Sequence, residues 1–287
     1  MVSALSAERR RTLAPYLLLA PMVVWLLLFF LAPMVTLLMG SLQSGSFSEG
    51  FAFTFEVGNY VSAVGAYWPW FLRSITYAAI ATLCALLIAY PLAYMIVFKA
   101  GRWKYLLLVL VVAPLFASFL VRTLAWTTIL ADQGIVVEVL RSLHILAPDQ
   151  WLLASPTAVI AGLTYNFLPF MTLPIYVSLD RLDKRLIEAA TDLYASGFRA
   201  FRRVTLPLSL PGIVSGCLLV FIPAAGDFVN AQLLGSVDTQ MIGNVIESQY
   251  LRALDYPMAS ALSVSLIVLI IGLVTISMRR SRTNEIL

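Results

Sequence analysis

Side chains that can do acid–base, nucleophilic or metal chemistry are scarce in this chain. Its 287 residues include one histidine, His144, and two cysteines, Cys84 and Cys217, with no Cys/His spacing that would hold a metal. The Gly-Lys dipeptide of a phosphate-binding P-loop never occurs, and neither a nucleophile elbow nor a zinc-protease signature is present. We therefore expect no catalytic residue, no metal site and no cofactor on this chain. If ATP drives the protein, another chain binds the nucleotide and its Mg²⁺.

Two ionisable side chains, Asp227 and Arg122, fall inside apolar runs, where a charge is costly unless it faces water or a partner. A carboxylate lining a path would favour a cation through a low-dielectric field. Asp227 could equally pair with Arg122 or with a neighbouring subunit, and a structural pair is the favoured interpretation of Arg122. Trp126, Tyr165 and Asn166 could line the same path, since aromatic faces hold ammonium groups and amides hydrogen-bond. Aromatic residues in such runs more often pack.

The elements that must hold these groups are apolar helices. Hydrophobic residues make up 61% of the chain and charged residues only 12%, with a mean hydropathy of +0.90. A soluble domain carries about 25% charged residues, and a membrane span needs roughly 20 apolar ones. The sequence therefore predicts an all-α integral membrane protein whose transmembrane domain, residues 13–278, lies between short tails at 1–12 and 279–287. Its six predicted spans are about 13–39, 74–98, 105–131, 156–178, 207–231 and 257–278.

Basic residues concentrate on one side of these spans. With the N-terminus inside, only Arg73, Arg122, Arg141 and Arg252 of the 19 lysines and arginines fall in outer segments or spans. Because Lys and Arg accumulate in short cytoplasmic loops, we expect a multi-pass protein with both termini in the cytoplasm. The net charge of +4 then reflects topology and gives no evidence of nucleic-acid binding.

The first outer segment, residues 40–73, is rich in Ser, Gly, Phe and Tyr. Trp68 and Trp70 near its end are typical of an aromatic belt at headgroup level. This composition predicts a short interfacial helix in the segment.

One charged stretch interrupts the apolar chain, and we call residues 179–206 the polar segment. Small or apolar residues recur there at steps of three and four, which predicts one amphipathic helix or two short ones: Leu186, Ala190, Leu193, Gly197, Phe201 and Val204. Asp183 is placed to cap the first helix, because its carboxylate can accept free backbone N–H groups. These residues alone allow two interpretations of the polar segment. It is either a loop helix that lies on the membrane surface or an element that enters a cleft on a cytoplasmic partner.

The residue order favours the second interpretation, because it resembles the EAA loop of permease subunits in binding-protein-dependent ABC importers: Glu188-Ala189-Ala190, a bend near Ser196-Gly197, then Val204-x-Leu206-Pro207. In that family the loop forms a coupling helix seated in a groove of the ATP-binding subunit. The resemblance implies coupling roles for Asp183, Glu188, Ala189, Ala190, Tyr194 and Gly197. The family has glycine where this chain has Tyr194, so we expect Gly197 to supply the bend instead.

The resemblance extends over about residues 57–275, and over this range the sequence is similar to the first permease subunit of spermidine/putrescine importers. It is carried by these stretches: Leu168-Pro-Phe-Met171, Leu179-Asp-Arg-Leu-Asp-Lys184, Leu206-Pro-Leu-Ser-Leu-Pro-Gly212 and Ile242-Gly-Asn-Val-Ile246. It implies the type I ABC importer permease fold, with six transmembrane helices and a cytoplasmic coupling helix, in a prokaryotic inner membrane. The implied partners are a homologous second permease, a dimer of the ATP-binding cassette ATPase that holds ATP and Mg²⁺, and an extracytoplasmic substrate-binding protein.

Other functions stay open at this point. Importers of iron, phosphonate and other small solutes can have similar permeases, so a polyamine is only the favoured solute. A membrane-embedded enzyme or assembly protein would use the polar segment merely to bind a scaffold. A secondary transporter is disfavoured, because the ionisable residues expected for proton or sodium coupling are sparse inside the spans.

Overall fold

The computed structural model describes residues 18–147 and 150–283, so the predicted tail at 1–12 and the start of the first span lie outside the described residues. The chain divides into two compact units. One comprises the residues up to Ala66 together with Ser248–Val268, and the other comprises Tyr67–Glu247 together with the residues from Leu269 onward.

The described structure is almost entirely helical. In chain order the helices are α1 (Leu18–Ser41), α2 (Gly58–Phe98), α3 (Lys104–Val112), α4 (Phe119–Ile129), α5 (Ile135–Ser142), α6 (Pro156–Asp180), α7 (Lys184–Asp192), α8 (Gly197–Ala225), α9 (Val229–Leu234), α10 (Ile242–Leu251) and α11 (Tyr256–Thr283). Two of them contain a π-helical turn, at Leu27–Leu31 in α1 and at Phe201–Thr205 in α8. The helices α2 and α11 each begin in the first unit and end in the second.

The first unit contains a short hairpin that the sequence did not predict. Strand β1 (Gln43–Ser46) pairs antiparallel with β2 (Gly50–Phe53), and Gly45 and Gly50 adopt positive φ angles of 119° and 86°. Only glycine adopts such angles without strain, which explains why the chain turns here. The predicted interfacial helix in residues 40–73 is therefore wrong for 43–53, and α2 begins directly after the hairpin, at Gly58.

Among the described residues, five helices are long and apolar enough to span a membrane: α1, α2, α6, α8 and α11. A sixth span requires a broken helix, because Gly101–Phe116 and Phe119–Ile129 meet at 97°. The break falls at Ala117 and Ser118, whose backbones are extended, a few residues after Pro114. The third predicted span, 105–131, is therefore a bent pair rather than one straight helix.

Small residues bring the helices of the second unit close together. A Cβ on Gly212 of α8 would lie 2.5 Å from the Ser178 Cβ of α6, and a Cβ on Gly216 would lie 2.8 Å from the Met171 sulfur. On α2 a fully buried stripe of alanines recurs at steps of three and four: Ala78, Ala81, Ala85, Ala89 and Ala93. Such close approach is how membrane helices gain packing energy. The two helices that flank the polar segment, α6 and α8, are thereby fixed against each other.

Candidate functional site

The polar segment folds into a short helix, α7, followed by the first turns of α8. Asp183 caps α7, because its Oδ1 accepts the backbone N–H of Arg185 at 3.0 Å, which confirms the predicted cap. Glu188 and Ala189 are exposed, whereas Ala190 is half-buried. The exposed surface of α7, which also includes Asp192, therefore combines carboxylates with a small side chain that a partner could cover.

The bend after α7 lies at Tyr194 and not at Gly197. Tyr194 has a φ of 59°, and its side chain is 96% exposed, so nothing in the described structure packs against it. Gly197 has an ordinary φ and opens α8. The expectation that Gly197 supplies the bend is wrong, because Tyr194 itself adopts the left-handed conformation that the family's glycine would adopt without strain.

Two aromatic contacts hold the C-terminal end of the polar segment. The Phe201 ring lies 5.8 Å from the ring of Tyr90 and 5.9 Å from that of Tyr94, edge to face in both cases. Close by, the Tyr90 hydroxyl and the Ser209 hydroxyl lie 2.9 Å apart. The start of α8 is therefore anchored on α2.

An ion pair holds the N-terminal end of the polar segment. Lys104, the first residue of α3, places its Nζ 2.6 Å from Oδ1 of Asp180, the last residue of α6. The Tyr176 hydroxyl donates to the other carboxylate oxygen at 3.3 Å, and the ammonium lies 5.4 Å from the centre of the Tyr176 ring. The sequence analysis missed this contact, since 76 residues separate Lys104 from Asp180.

A second group of polar side chains, here called the amide cluster, consists of Thr123 (α4), Asn166 (α6) and Asn230 (α9). Asn166 Nδ2 donates to Thr123 Oγ1 at 3.1 Å and to Asn230 Oδ1 at 3.0 Å. All three residues are almost completely buried. Within the described structure, the Asn166 Oδ1 and the Asn230 Nδ2 have no hydrogen-bond partner. Buried amides are nearly always satisfied, so these two atoms require an explanation.

Asp227 adjoins this cluster but lies outside the helix in which the sequence placed it. The helix α8 ends at Ala225, and Asp227 Oδ1 accepts the backbone N–H of Asn230 at 2.8 Å, a free donor in the first turn of α9. A Cβ on Gly243 would lie 3.0 Å from the Asp227 carbonyl oxygen, so α10 runs directly against this turn. The carboxylate is 8% exposed.

Trp126 and Tyr165 form an aromatic pair next to the amide cluster. Their ring centroids lie 5.3 Å apart in an edge-to-face arrangement, and both side chains are half-buried. Trp126 is one turn beyond Thr123 on α4, and Tyr165 directly precedes Asn166 on α6. The structure therefore links two of the predicted pathway residues, Asn166 and Asp227, through Asn230, which the sequence did not single out, while Trp126 and Tyr165 contact each other.

Arg122 does not pair with Asp227 in the described structure. Among the residues that the structure describes, neither Asp227 nor any other acid lies within ion-pair distance of its guanidinium. Its Nε and one Nη are buried without a hydrogen-bond partner, and the guanidinium carbon lies 5.7 Å from the Phe119 ring centre. Asp227 turns instead toward the backbone of α9, and a pair of Arg122 with a neighbouring subunit stays a prediction.

The comparison with protein families decides the class of the protein. The family described as "Binding-protein-dependent transport system inner membrane component" matches residues 85–281, which include the polar segment and the amide cluster. The chain belongs to this family. The resemblance carried by the polar segment is thereby confirmed, and the chain is a multi-pass inner-membrane permease.

Two curated relatives of this permease cover almost its full length, and a third covers about two thirds of it. It is 39% identical over 259 residues to the spermidine/putrescine transport system permease protein PotB of Haemophilus influenzae, with 90% of this chain and 91% of the relative covered. It is 35% identical over 266 residues to PotB of Escherichia coli, with 92% and 97% covered. It is also 35% identical to the inner membrane ABC transporter permease YdcU of Escherichia coli, over 69% of this chain and 67% of the relative.

Solved structures confirm the fold. The permease resembles a chain of a bacterial ABC transporter that imports the acidic polysaccharide alginate, with a TM-score of 0.73, 20% identity and coverage of 98% of this chain and 99% of that chain. A second structure of the alginate transporter, in complex with a pentasaccharide-bound periplasmic protein, gives the same TM-score over 96% of both chains. The predicted type I ABC importer permease fold is therefore correct.

Proposed function

We propose that this chain is one of two permease subunits of an ATP-driven importer for polyamines. The observation that carries the solute assignment is the similarity to PotB, at 39% and 35% identity over about nine-tenths of each chain. The chain moves a solute and performs no bond chemistry of its own.

The chemistry around the amide cluster supports a cationic solute. A polyamine carries ammonium groups, each with hydrogen atoms to donate, and the cluster offers the Asp227 carboxylate and the unpartnered Asn166 Oδ1 as acceptors. The edge-to-face pair of Trp126 and Tyr165 adds π faces that attract cations. We assign these four residues to the translocation pathway.

Transport is driven through the polar segment. The exposed surface of α7 docks into a groove of the ATPase subunit, in contacts that involve Asp183, Glu188, Ala189, Ala190, Tyr194 and Gly197. Closure of the ATPase dimer around ATP and Mg²⁺ moves α7, and the attached helices α6 and α8 shift the permease pair between inward-open and outward-open states. An extracytoplasmic binding protein delivers the solute, and both termini and the polar segment face the cytoplasm.

The test is uptake of labelled putrescine by proteoliposomes that contain the complete importer with Asp227→Asn in this chain. Asparagine keeps an oxygen for the Asn230 N–H but removes the charge, so assembly should survive while the apparent KM for putrescine rises roughly tenfold, as expected for loss of one buried charge contact of about 1.5 kcal/mol. Asp238→Asn is the matched control, because Asp238 is exposed in the following loop.

An unchanged KM in Asp227→Asn would remove Asp227 from the pathway. Failure of the wild-type importer to take up putrescine or spermidine, with robust ATP-dependent uptake of another solute, would overturn the polyamine assignment and leave the permease assignment intact.

A further inference from the structure

The first turns of α8 carry three arginines on one face. Arg199, Arg202 and Arg203 follow at steps of three and four, so they lie side by side, and all three are exposed. The opposite face points inward, because Ala200 and Thr205 are buried. We call this exposed set the arginine face.

Among the described residues, no acid lines the open cavity that the three guanidinium groups surround. The cavity has a volume of about 460 Å³ and is lined by Ser196, Phe198 and the arginine face. In the part of the chain that the structure describes, none of the three arginines forms an ion pair. Like charges around one cavity repel each other, and a bound anion would convert that repulsion into charge-assisted hydrogen bonds.

The surroundings point to an anion that lies at a membrane surface. The arginine face belongs to the start of α8, an apolar helix of 29 residues that is long enough to cross the bilayer. Phe198 beside the arginines is 74% exposed, and Leu208 and Leu210 further along the helix are 45% and 46% exposed. A cavity that places three cations beside an exposed aromatic side chain, at the start of an apolar spanning helix, matches an amphiphile with a phosphate and acyl chains.

We propose that the arginine face binds the phosphate headgroup of an anionic phospholipid in the cytoplasmic leaflet. The location rests on the orientation given under Proposed function, whereas lipid binding goes beyond that function. The Phe201 contacts with Tyr90 and Tyr94 hold the arginine face in place. Since the polar segment ends at this point, the lipid steadies the coupling helix from the membrane side.

The test uses the complete importer in nanodiscs of phosphatidylcholine with a minor fraction of phosphatidylglycerol. Lipids retained after mild extraction are counted by native mass spectrometry. The wild-type importer should retain phosphatidylglycerol in preference to phosphatidylcholine. Each of Arg199→Gln, Arg202→Gln and Arg203→Gln should lower that retention by roughly fivefold, since one basic residue near an anionic surface has about this effect.

Arg102→Gln is the matched control, because Arg102 is exposed on the same proposed side and its guanidinium carbon lies 5.5 Å from the Trp103 ring centre. Its retention of phosphatidylglycerol should equal the wild-type value. Equal losses in the control and in the three variants would overturn the site, and so would full retention in all three. Binding of inorganic phosphate to the wild-type importer without any preferential retention of phosphatidylglycerol would mean that the cavity takes a free phosphate, which contradicts the lipid assignment.

A last comparison measures lipid retention with and without the ATPase subunit. If phosphatidylglycerol binds only when the ATPase is absent, the arginine face is part of the ATPase interface and the proposal is wrong. Lipid retention is measured without any transported solute, so its outcome is independent of whether the importer carries polyamines.

Discussion

Lys104 and Asp180 lie 2.6 Å apart and tie the start of α3 to the last residue of α6, where the polar segment begins. Tyr176 supports the same carboxylate from one turn earlier on α6. If the ATPase acts on α7 as proposed, the force reaches α6 beside this ion pair and reaches α8 beside the Phe201 contacts. We therefore propose that the pair acts as a joint of the coupling segment.

The substitution Lys104→Gln should loosen this joint. A partly exposed ion pair contributes only about 0.2–1 kcal/mol, so thermal stability should hardly change. The ratio of solute transported to ATP hydrolysed should fall by up to roughly fivefold, because 1 kcal/mol corresponds to that factor. Both quantities are measured on proteoliposomes. Lys99→Gln serves as the control, since Lys99 is exposed and forms no ion pair in the described structure. An unaltered ratio in Lys104→Gln would show that the joint carries no coupling.

Because Tyr194 has a left-handed backbone conformation, we expect that replacing it with glycine stabilises the bend. Tyr194→Gly should relieve about 1 kcal/mol of backbone strain, and amide hydrogen exchange around residues 192–196 should slow accordingly. Tyr194→Ala is the matched variant, because it removes the ring but keeps the Cβ that causes the strain. Equal exchange in the glycine and alanine variants would contradict a strained bend.

Charge reversal on α7 tests the docking surface. Glu188→Arg should abolish binding-protein-stimulated ATP hydrolysis and uptake, because reversing a charge inside an interface costs about 2–5 kcal/mol. The purified complex is assayed for hydrolysis and the proteoliposomes for uptake. Glu138→Arg, on the exposed side of α5, should leave both activities at the wild-type level. Wild-type coupling in Glu188→Arg would remove this residue from the docking surface.

The hydrogen bond between Asn166 and Asn230 predicts that substitutions at these two residues have non-additive effects on the free energy of unfolding. Asn166→Ala and Asn230→Ala should each lower the free energy of unfolding by about 1–3 kcal/mol, since each leaves a buried polar partner unsatisfied. The double variant should lose less than the sum of the two, with a coupling of at least about 0.5 kcal/mol. Denaturant unfolding in detergent measures these values. Gln232→Ala, on the exposed side of α9, is the control for the effect of removing an amide side chain. Strictly additive losses in the double variant would mean that the two amides do not interact.

The cap of α7 was readable from the sequence because its cause is local. The Asp183 cap depends only on a carboxylate two residues before the N–H that it accepts, and spacing alone predicted it. The left-handed Tyr194 could not be predicted in this way, because tyrosine disfavours that conformation; it follows the last turn of α7, where the Ala195 N–H donates to the Ala190 carbonyl oxygen at 3.1 Å.

The sequence by itself determined the class of the protein. Apolar runs of about 20 residues can satisfy their backbone in a membrane only as helices, and the residue order of the polar segment marked the permease family. Tertiary structure alone decided which polar groups meet. Asn166 reaches Thr123 across 43 residues and Asn230 across 64, and Asp227 turned toward α9 rather than toward Arg122. Such contacts depend on how the helices pack, and no local pattern in the chain encodes that packing.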